Sequence, residues 1–116
     1  MPLPKPLPDP VVEVVAHRLR VLGEPMRIKL LDRLREGTAT VQELTDQLNA
    51  TQQNVSQHLG LLFRAGMVTR KKEGTHAIYG LTDGDVFSVL ETVWGSYERQ
   101  LTDIASPPAR KRQGQT

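Results

Sequence analysis

The sequence contains no cysteine, few aromatic residues and no long apolar run. The missing cysteine excludes disulfides, thiolate metal sites and thiol redox chemistry. Aromatic residues make up 4% of the 116 residues, so a core would have to be built from Leu, Val and Ile. No apolar run approaches the length that crosses a membrane, and the Pro-rich start is unlike a signal peptide. We therefore expect a cytoplasmic protein that has no membrane partner.

The sequence also lacks the usual patterns of catalysis. It has no G-x-S-x-G motif, no Gly-rich phosphate-binding loop and no cluster of its three histidines. An enzyme would need a nucleophile with its base, paired acids in a cleft, or a loop that holds phosphate. The sequence therefore favours a binding protein over an enzyme.

Positive charge is concentrated in one internal segment, although the net charge of the whole chain is only +2. Residues 50–82 carry four cations and one carboxylate, whereas residues 83–104 carry one arginine and five carboxylates. A polyanion would therefore meet one part of the protein preferentially.

Composition divides the chain into three parts. Residues 1–9 have proline at every second position, which excludes regular structure, and we expect a disordered arm. Residues 10–104 have the periodic apolar spacing of one folded domain. Residues 105–116 have almost no apolar side chains and are expected to form a disordered basic tail, which either contacts phosphates or keeps the protein soluble.

Apolar spacing and capping residues predict a mainly α domain with a small β-hairpin, in the order α-α-α-α-β-β-α. Asp9 should cap the first helix and Gly23 should end it, and Pro25 should begin the second helix. The segment Thr40-Val-Gln-Glu43 matches a capping box for the third helix, and Thr51 is the expected N-cap of the fourth.

A hairpin and a long helix should follow the fourth helix. Two β-rich segments flank Gly74, which predicts a hairpin whose tip carries the run Arg70–Lys72. The final helix should span residues 84–104.

The fourth predicted helix lies in TQQNVSQHLGLLFRAG, residues 51–66, and is rich in uncharged polar side chains. Val55, Leu59, Leu62 and Phe63 form an apolar stripe, which leaves the polar side chains of the first two turns on the outer side. Gln and Asn can bond adenine edges in the major groove, and Ser and Thr can bond phosphates or bases. A solvated surface helix is the simpler alternative, but the hairpin, the local charge and the last helix all agree with a DNA-binding helix-turn-helix.

The candidate contacts to double-stranded DNA lie on this helix and on the hairpin. Those on the helix are Thr51, Gln52, Gln53, Asn54, Ser56, Gln57 and His58, of which Thr51 and Ser56 are the more plausible phosphate contacts. Those expected on the DNA backbone or in the neighbouring groove are Arg64, Arg70, Lys71, Lys72, Thr75 and His76, with His76 at the base of the hairpin. A winged helix that only docks proteins would need neither the amides nor the cationic hairpin.

The last predicted helix has apolar residues at steps of four and three over five turns. Such a stripe could pack on its own subunit, but it is longer than a domain of this size needs. We therefore predict a homodimer whose interface is formed by this last helix together with the first helix. The predicted interface residues are Val12, Val15, Leu19, Val86, Leu90, Val93, Tyr97 and Leu101.

Residues 19–82 resemble the ArsR/SmtB family of small winged-helix regulators. The matching segments are LGEPMRIKLLDRLREG, VQELTDQLNATQQNVSQHLGLLFRAGMV and TRKKEGTHAIYGL. The resemblance implies a winged helix-turn-helix homodimer, paired through its terminal helices, that binds operator DNA and most often represses transcription.

Two metal sites implied by the resemblance are altered in this sequence. One has two thiolates where this chain has Thr40 and Gln42, which cannot replace them. The other spans the terminal helices, where Ser96 is a poor ligand and Arg99 brings a positive charge. Its aligned positions are Asp83, Asp85, Ser96 and Arg99, of which Asp83 and Asp85 could coordinate a cation and are weak candidate ligands.

Glu13 and His17, four residues apart on the first helix, are the remaining candidates for a nickel or zinc site. A surface histidine beside a carboxylate is the simpler interpretation, because two such groups alone do not make a transition-metal site. The sequence therefore predicts a DNA-binding regulator without a cofactor. A metal response, control by a partner protein, and activation in place of repression remain alternatives.

Overall fold

The structure, a computed structural model, describes residues 1–82 and 84–105. It contains five helices and three short strands in the order α1, α2, β1, α3, α4, β2, β3, α5. The helices are α1 (Asp9–Leu22), α2 (Pro25–Leu34), α3 (Val41–Leu48), α4 (Gln52–Arg64) and α5 (Asp85–Ala105). The strands are β1 (Ala39–Thr40), β2 (Val68–Glu73) and β3 (His76–Leu81). This is the predicted helical fold with a β-hairpin, and only β1 is additional.

The chain forms two compact units, of which the first is Met1–Thr82 and the second begins at Asp83. The predicted domain of residues 10–104 spans both units. The predicted basic tail lies outside the described residues, apart from its first residue, which ends α5. Residues 1–8 have no helix or strand.

Aliphatic side chains form the core of the first unit. Helix α2 packs against α3 and α4, and α3 packs against α4. The side chains between them recur every three or four residues, so each helix has one apolar side. The largest fully buried side chains are Leu30, Leu31, Leu44, Val55, Leu59 and Leu62. This core is aliphatic, as the low aromatic content requires.

The helix-turn-helix begins with the predicted capping box. The Thr40 backbone N donates to Glu43 Oε1 at 2.8 Å, and the Glu43 backbone N donates to Thr40 Oγ1 at 3.1 Å. Thr51 Oγ1 likewise accepts from the Asn54 backbone N at 3.1 Å, so it caps α4 as predicted. Asn49 ends α3 with a left-handed φ of 52°, which turns the chain into α4.

The start of α1 differs from the prediction. Asp9 is the first residue of the helix, and the N-cap is Pro8, which has no side chain able to accept a hydrogen bond. Asp9 in the first turn still stabilises the helix, because its carboxylate is attracted to the positive end of the helix dipole.

The three strands form an antiparallel sheet in the order β1-β3-β2. In β1, Ala39 pairs with Tyr79 and Thr40 pairs with Ile78. A strand of two residues has no detectable alternation in sequence, which is why β1 was not predicted. β3 is the central strand, and β2 lies at one edge.

The hairpin places its basic residues along a strand and not at its tip. Glu73 pairs with His76, so Gly74 and Thr75 form a two-residue turn, with Gly74 at a φ of 62°. The run Arg70–Lys72 therefore lies within β2, contrary to the prediction that it forms the tip. His76 lies next to the turn, and the prediction that it stands at the base is wrong.

Helix α5 of the second unit has 21 residues and begins within one residue of the predicted start. It carries charged side chains on one side and apolar ones on the other. Among the described residues, no helix combines the length and hydropathy that crossing a membrane requires.

Candidate nucleic-acid interface

Helix α4 has one buried side and one exposed side. Val55, Leu59 and Leu62 are fully buried. The opposite side exposes five polar residues of the first two turns, which we call the amide face: Gln52, Gln53, Asn54, Ser56 and Gln57. Thr51, directly before the helix, is exposed as well. Their contact with DNA stays a prediction, but the exposure that it requires is present.

Each amide of the amide face can make two hydrogen bonds to the edge of one base. Each Gln or Asn side chain carries an acceptor oxygen and a two-proton donor, which suits the adjacent donor and acceptor groups of a base edge. The free N–H groups at the start of α4 add a positive partial charge that favours phosphate. Because Thr51 and Asn49 fix where α4 begins, the amide face has a defined position on the helix.

His58 lies on the inner side of α4, although it was predicted to face DNA. Its side chain is 15% exposed, and its Nε2 lies 3.9 Å from Glu24 Oε1. His58 follows Val55 by three residues and precedes Leu59, so helical spacing turns it toward the buried side. The structure therefore removes His58 from the set of outward-facing polar residues.

Arg27 connects this histidine to the end of α1. Its Nε donates to the Val21 carbonyl at 2.7 Å, and its Nη2 donates to the Arg20 carbonyl at 3.4 Å. Its Nη1 lies 3.1 Å from His58 Nδ1, which must be the acceptor because a guanidinium has only donors. Glu24 Oε1 accepts from the Arg27 backbone N at 3.1 Å and caps α2. The cluster thus joins α1, α2 and α4 behind the amide face.

Phe63 is exposed, although it was predicted in the apolar stripe. Its side chain is 44% exposed. It follows Val55 by eight residues, which turns it about 80° away from the direction of that residue. The buried stripe of α4 is therefore narrower than the sequence indicated.

The four cations of the basic segment are all exposed. Arg64 ends α4, while Arg70 and Lys72 share one face of β2 and Lys71 lies on the other, because side chains alternate along a strand. Thr75 and His76 are exposed at the turn of the hairpin. The first unit therefore exposes uncharged polar side chains in the first two turns of α4, one cation at the end of α4, and three cations along β2.

The candidate metal ligands do not form a cluster. Glu13 and His17 are exposed on α1, and Asp85 is exposed at the start of α5, while Asp83 lies outside the described residues. In the described part of the chain, no group of three His, Asp or Glu side chains could hold a metal ion. No third His, Asp or Glu in the described part of the chain completes a metal site with Glu13 and His17.

Helices α1 and α5 each expose large apolar side chains. On α1 these are Val12, Val14, Val15 and Leu19, and on α5 they are Val89, Val93, Trp94, Tyr97, Leu101 and Ile104. The rings of Trp94 and Tyr97 have centroids 5.8 Å apart. Two predicted interface residues differ from this set, because Val86 is only 9% exposed and Leu90 is half-buried.

Known proteins that are similar to this chain have helix-turn-helix domains. Residues 17–71 match a family described as a helix-turn-helix domain. The transcriptional repressor SmtB of Mycobacterium tuberculosis is 40% identical over 80 residues, which cover 69% of this chain and 59% of that protein. The biofilm growth-associated repressor of Agrobacterium fabrum is 32% identical over 105 residues, which cover 83% of this chain and 90% of that protein. The crystal structure of Rv0081 from M. tuberculosis has a TM-score of 0.74 at 31% identity and covers 84% of this chain and 98% of that one.

The chain has the winged helix-turn-helix fold, and the two relatives named above are transcriptional repressors. The chain belongs to the ArsR/SmtB family of winged-helix regulators. It spans 59% of the length of the M. tuberculosis SmtB repressor, and almost the whole of the Rv0081 chain.

Proposed function

We propose that this protein is a transcriptional repressor that binds a two-fold DNA operator as a homodimer. The observation that carries the proposal is the amide face, because five uncharged polar side chains are exposed on a helix whose other side is fully buried. Side chains of this kind contribute little to solubility, but their hydrogen-bonding groups match base edges.

Within this proposal, the two parts of the interface have different roles. The amides of the amide face contact base edges in the major groove, while Thr51 and Ser56 contact phosphates at the start of α4. The remaining contacts are to the DNA backbone, and they come from Arg64, Arg70, Lys71, Lys72, Thr75 and His76. The amides therefore give sequence preference, and the cations give affinity that depends on salt.

The exposed apolar side chains support the homodimer. Val93 and Trp94 on α5 are 64% and 56% exposed, and Leu19 on α1 is 53% exposed. On each of the two helices, exposed apolar side chains of this number are uncommon on a monomer and are typical of an interface. In a two-fold dimer the amide faces would contact half-sites one DNA turn apart, about 10 bp.

Repression is supported by the names of two relatives, the repressors of M. tuberculosis and A. fabrum. We further propose that DNA binding needs no metal, because neither implied site keeps its full set of ligands. Thr40 and Gln42 stand in place of the thiolates of one site, and Ser96 and Arg99 stand in place of two ligands of the other. Control of the repressor then comes from its amount in the cell or from a partner protein.

The test is a DNA-binding titration followed by fluorescence anisotropy. The duplexes are the region upstream of the protein's own gene and a scrambled version of it, at about 50 mM and 200 mM salt. We expect tighter binding to the native duplex, affinity that falls steeply with salt, and two protein chains per site in sedimentation. Equal affinity for both duplexes would contradict the proposal.

Variants then locate the interface. Gln53→Ala should reduce the preference for the native duplex, because it removes one member of the amide face. The matched control is Gln42→Ala, since Gln42 is also an exposed amide but lies on α3 and bonds Asp46 Oδ1 at 2.9 Å. An equal loss in both variants would show that the amide face has no special role.

A further inference from the structure

Tyr79 lies in β3, the central strand of the sheet, and it is only 7% exposed. The ring of a buried tyrosine acts as an apolar core residue, but its hydroxyl needs a hydrogen-bond partner, because an unpaired polar group costs free energy once it leaves water. Within residues 1–82 and 84–105, this hydroxyl has no such partner. The folded chain therefore leaves one donor and acceptor of Tyr79 unused.

The Tyr79 hydroxyl can still be reached from outside the protein. Among the buried and half-buried residues that the structure describes, Thr45 Oγ1 is the side-chain oxygen that is sealed from solvent and has no partner. Tyr79 Oη has no partner either, so it belongs to the atoms that keep contact with solvent. The core thus holds the ring, and the hydroxyl lies at a defined place on the surface.

Arg70 lies directly beside Tyr79. The two residues pair across β2 and β3, whereas Lys71 pairs with Ile78 and lies on the other face. Side chains of directly opposed residues leave the sheet on the same face, with Cβ atoms about 4.5–5.5 Å apart. Arg70 is exposed, and in the described part of the chain its guanidinium has no hydrogen-bond or ion-pair partner. An available cation and a fixed neutral donor are therefore neighbours.

We propose that the Tyr79 hydroxyl and the Arg70 guanidinium bind one phosphate of the DNA backbone. The proposal rests on the proposed function, and it adds a contact from a residue that is uncharged and almost entirely buried. Tyrosine is among the side chains that donate to phosphate oxygens, and a guanidinium can bind the same phosphate through parallel N–H groups. Because the ring is held in the core, the hydroxyl fixes where this phosphate lies against the hairpin.

Tyr79→Phe separates this role from a structural one, because it removes the hydroxyl and keeps the ring. The Tm should stay within about 2 °C of the wild-type value, since no bond inside the protein is lost. In the anisotropy titration, affinity for the native duplex should fall by about 10-fold or more, because each protomer loses a hydrogen bond to a charged group. A structural hydroxyl would give the opposite result, a lower Tm with unchanged affinity, and would overturn the inference.

Two further quantities distinguish this contact from those of the amides and the cations. A phosphate carries no sequence information, so Tyr79→Phe should weaken binding to the native and scrambled duplexes by the same factor. The uncharged hydroxyl releases no counterion, so the slope of log affinity against log salt should not change, whereas Arg70→Ala should lower it by about 1 for each protomer. A reduced preference for the native duplex in Tyr79→Phe would contradict the assignment to a phosphate.

Thr45→Val is the matched control. It also removes an unpartnered hydroxyl while keeping the shape of the side chain, but this hydroxyl lies on α3 and is sealed from solvent. We expect unchanged DNA affinity and a Tm no lower than that of the wild type, because a buried oxygen without a partner is removed. An equal loss of affinity in Thr45→Val and Tyr79→Phe would show that the effect passes through the fold and not through a direct contact.

The Arg70→Ala background tests whether the two side chains share a phosphate. Groups that bond the same partner are not independent, so Tyr79→Phe should weaken binding less in Arg70→Ala than in the wild-type protein. Full additivity, or wild-type affinity in Tyr79→Phe, would overturn the inference even if the protein still prefers the native duplex. If the wild-type protein itself shows no such preference, it is the proposed function that fails.

Discussion

Arg27 is the residue through which three helices of the first unit are joined. Its side chain bonds two carbonyls at the end of α1 and the ring of His58 on α4. These partners are half-buried or lie at a helix end, where unpaired polar groups cost free energy. His58 is thereby used inside the protein, while its neighbour Gln57 remains exposed.

We predict that Arg27→Ala lowers the free energy of unfolding by about 1–3 kcal/mol, because the Val21 carbonyl and His58 Nδ1 lose their donor. The measurement is urea unfolding followed by circular dichroism. The control is Arg18→Ala, whose exposed side chain makes one bond, to the Ala65 carbonyl at 3.0 Å. This variant should change stability by at most about 0.5 kcal/mol. Equal losses in the two variants would mean that the cluster adds nothing beyond a surface bond.

A second prediction for a single residue concerns His17. We expect calorimetric titration of nickel or zinc to give weak and equal heats for the wild-type protein and for His17→Ala. The physical reason is that Glu13 and His17 alone do not complete the three or four ligands that such ions take. A strong heat in the wild-type protein that His17→Ala removes would instead establish a metal site on α1.

At the scale of elements, Gly80 on β3 packs against the loop that precedes β1 and against β2. A Cβ on Gly80 would lie 3.0 Å from Thr38 Cγ2 and 3.2 Å from Thr69 Oγ1. We predict that Gly80→Ala lowers the free energy of unfolding by about 1–3 kcal/mol, since overpacking forces neighbours apart. Thermal unfolding should show a lower Tm than that of the wild-type protein. A Tm equal to that of the wild type would mean that the loop yields without cost.

Helix α4 and strand β2 should respond differently to substitution. Gln57→Ala should reduce the preference for the native duplex over the scrambled one by about 1–3 kcal/mol, because a base contact is lost. Lys71→Ala should weaken binding to both duplexes alike and lower the salt slope by about 1 for each protomer. Anisotropy titrations at several salt concentrations measure both quantities. The division of roles would be disproved if Lys71→Ala changed the preference and Gln57→Ala did not.

Periodicity and capping were sufficient to predict all five helices and the hairpin. The capping box at Thr40 and the N-cap at Thr51 are local hydrogen bonds, so they depend on neighbouring residues alone. The strand β1 depends on a distant partner, since Ala39 pairs with Tyr79, and no local pattern marks it. The polar partner of His58 is equally distant in the sequence, because Arg27 lies 31 residues away, although helical spacing alone turns His58 toward the buried side.

The exposure of the candidate residues agrees with the sequence for the polar side of α4 and for the cations, but not for every side chain. The amides of α4 are exposed as their spacing implies, whereas Phe63 and His58 exchange the sides that were expected for them.

At the scale of the whole molecule, the exposed apolar side chains on α5 should govern assembly. We predict that Val93→Asp raises the dissociation constant of the dimer by about 100-fold or more, because a charge would be buried without a partner. Sedimentation equilibrium measures this constant. The control is Ser88→Asp, since Ser88 is also exposed but lies about 140° away around the helix. A wild-type protein that is monomeric at every concentration would contradict the proposed dimer.

The position of β2 at the edge of the sheet has a consequence for the protein in the absence of DNA. The outer side of an edge strand presents unpaired N–H and C=O groups, to which a strand of another molecule can add. Arg70, Lys71 and Lys72 make such an approach between two copies repulsive, because like charges would come to lie side by side. The cations that we propose to contact phosphate should therefore also protect the free protein against aggregation, and variants that neutralise them should be handled at low concentration.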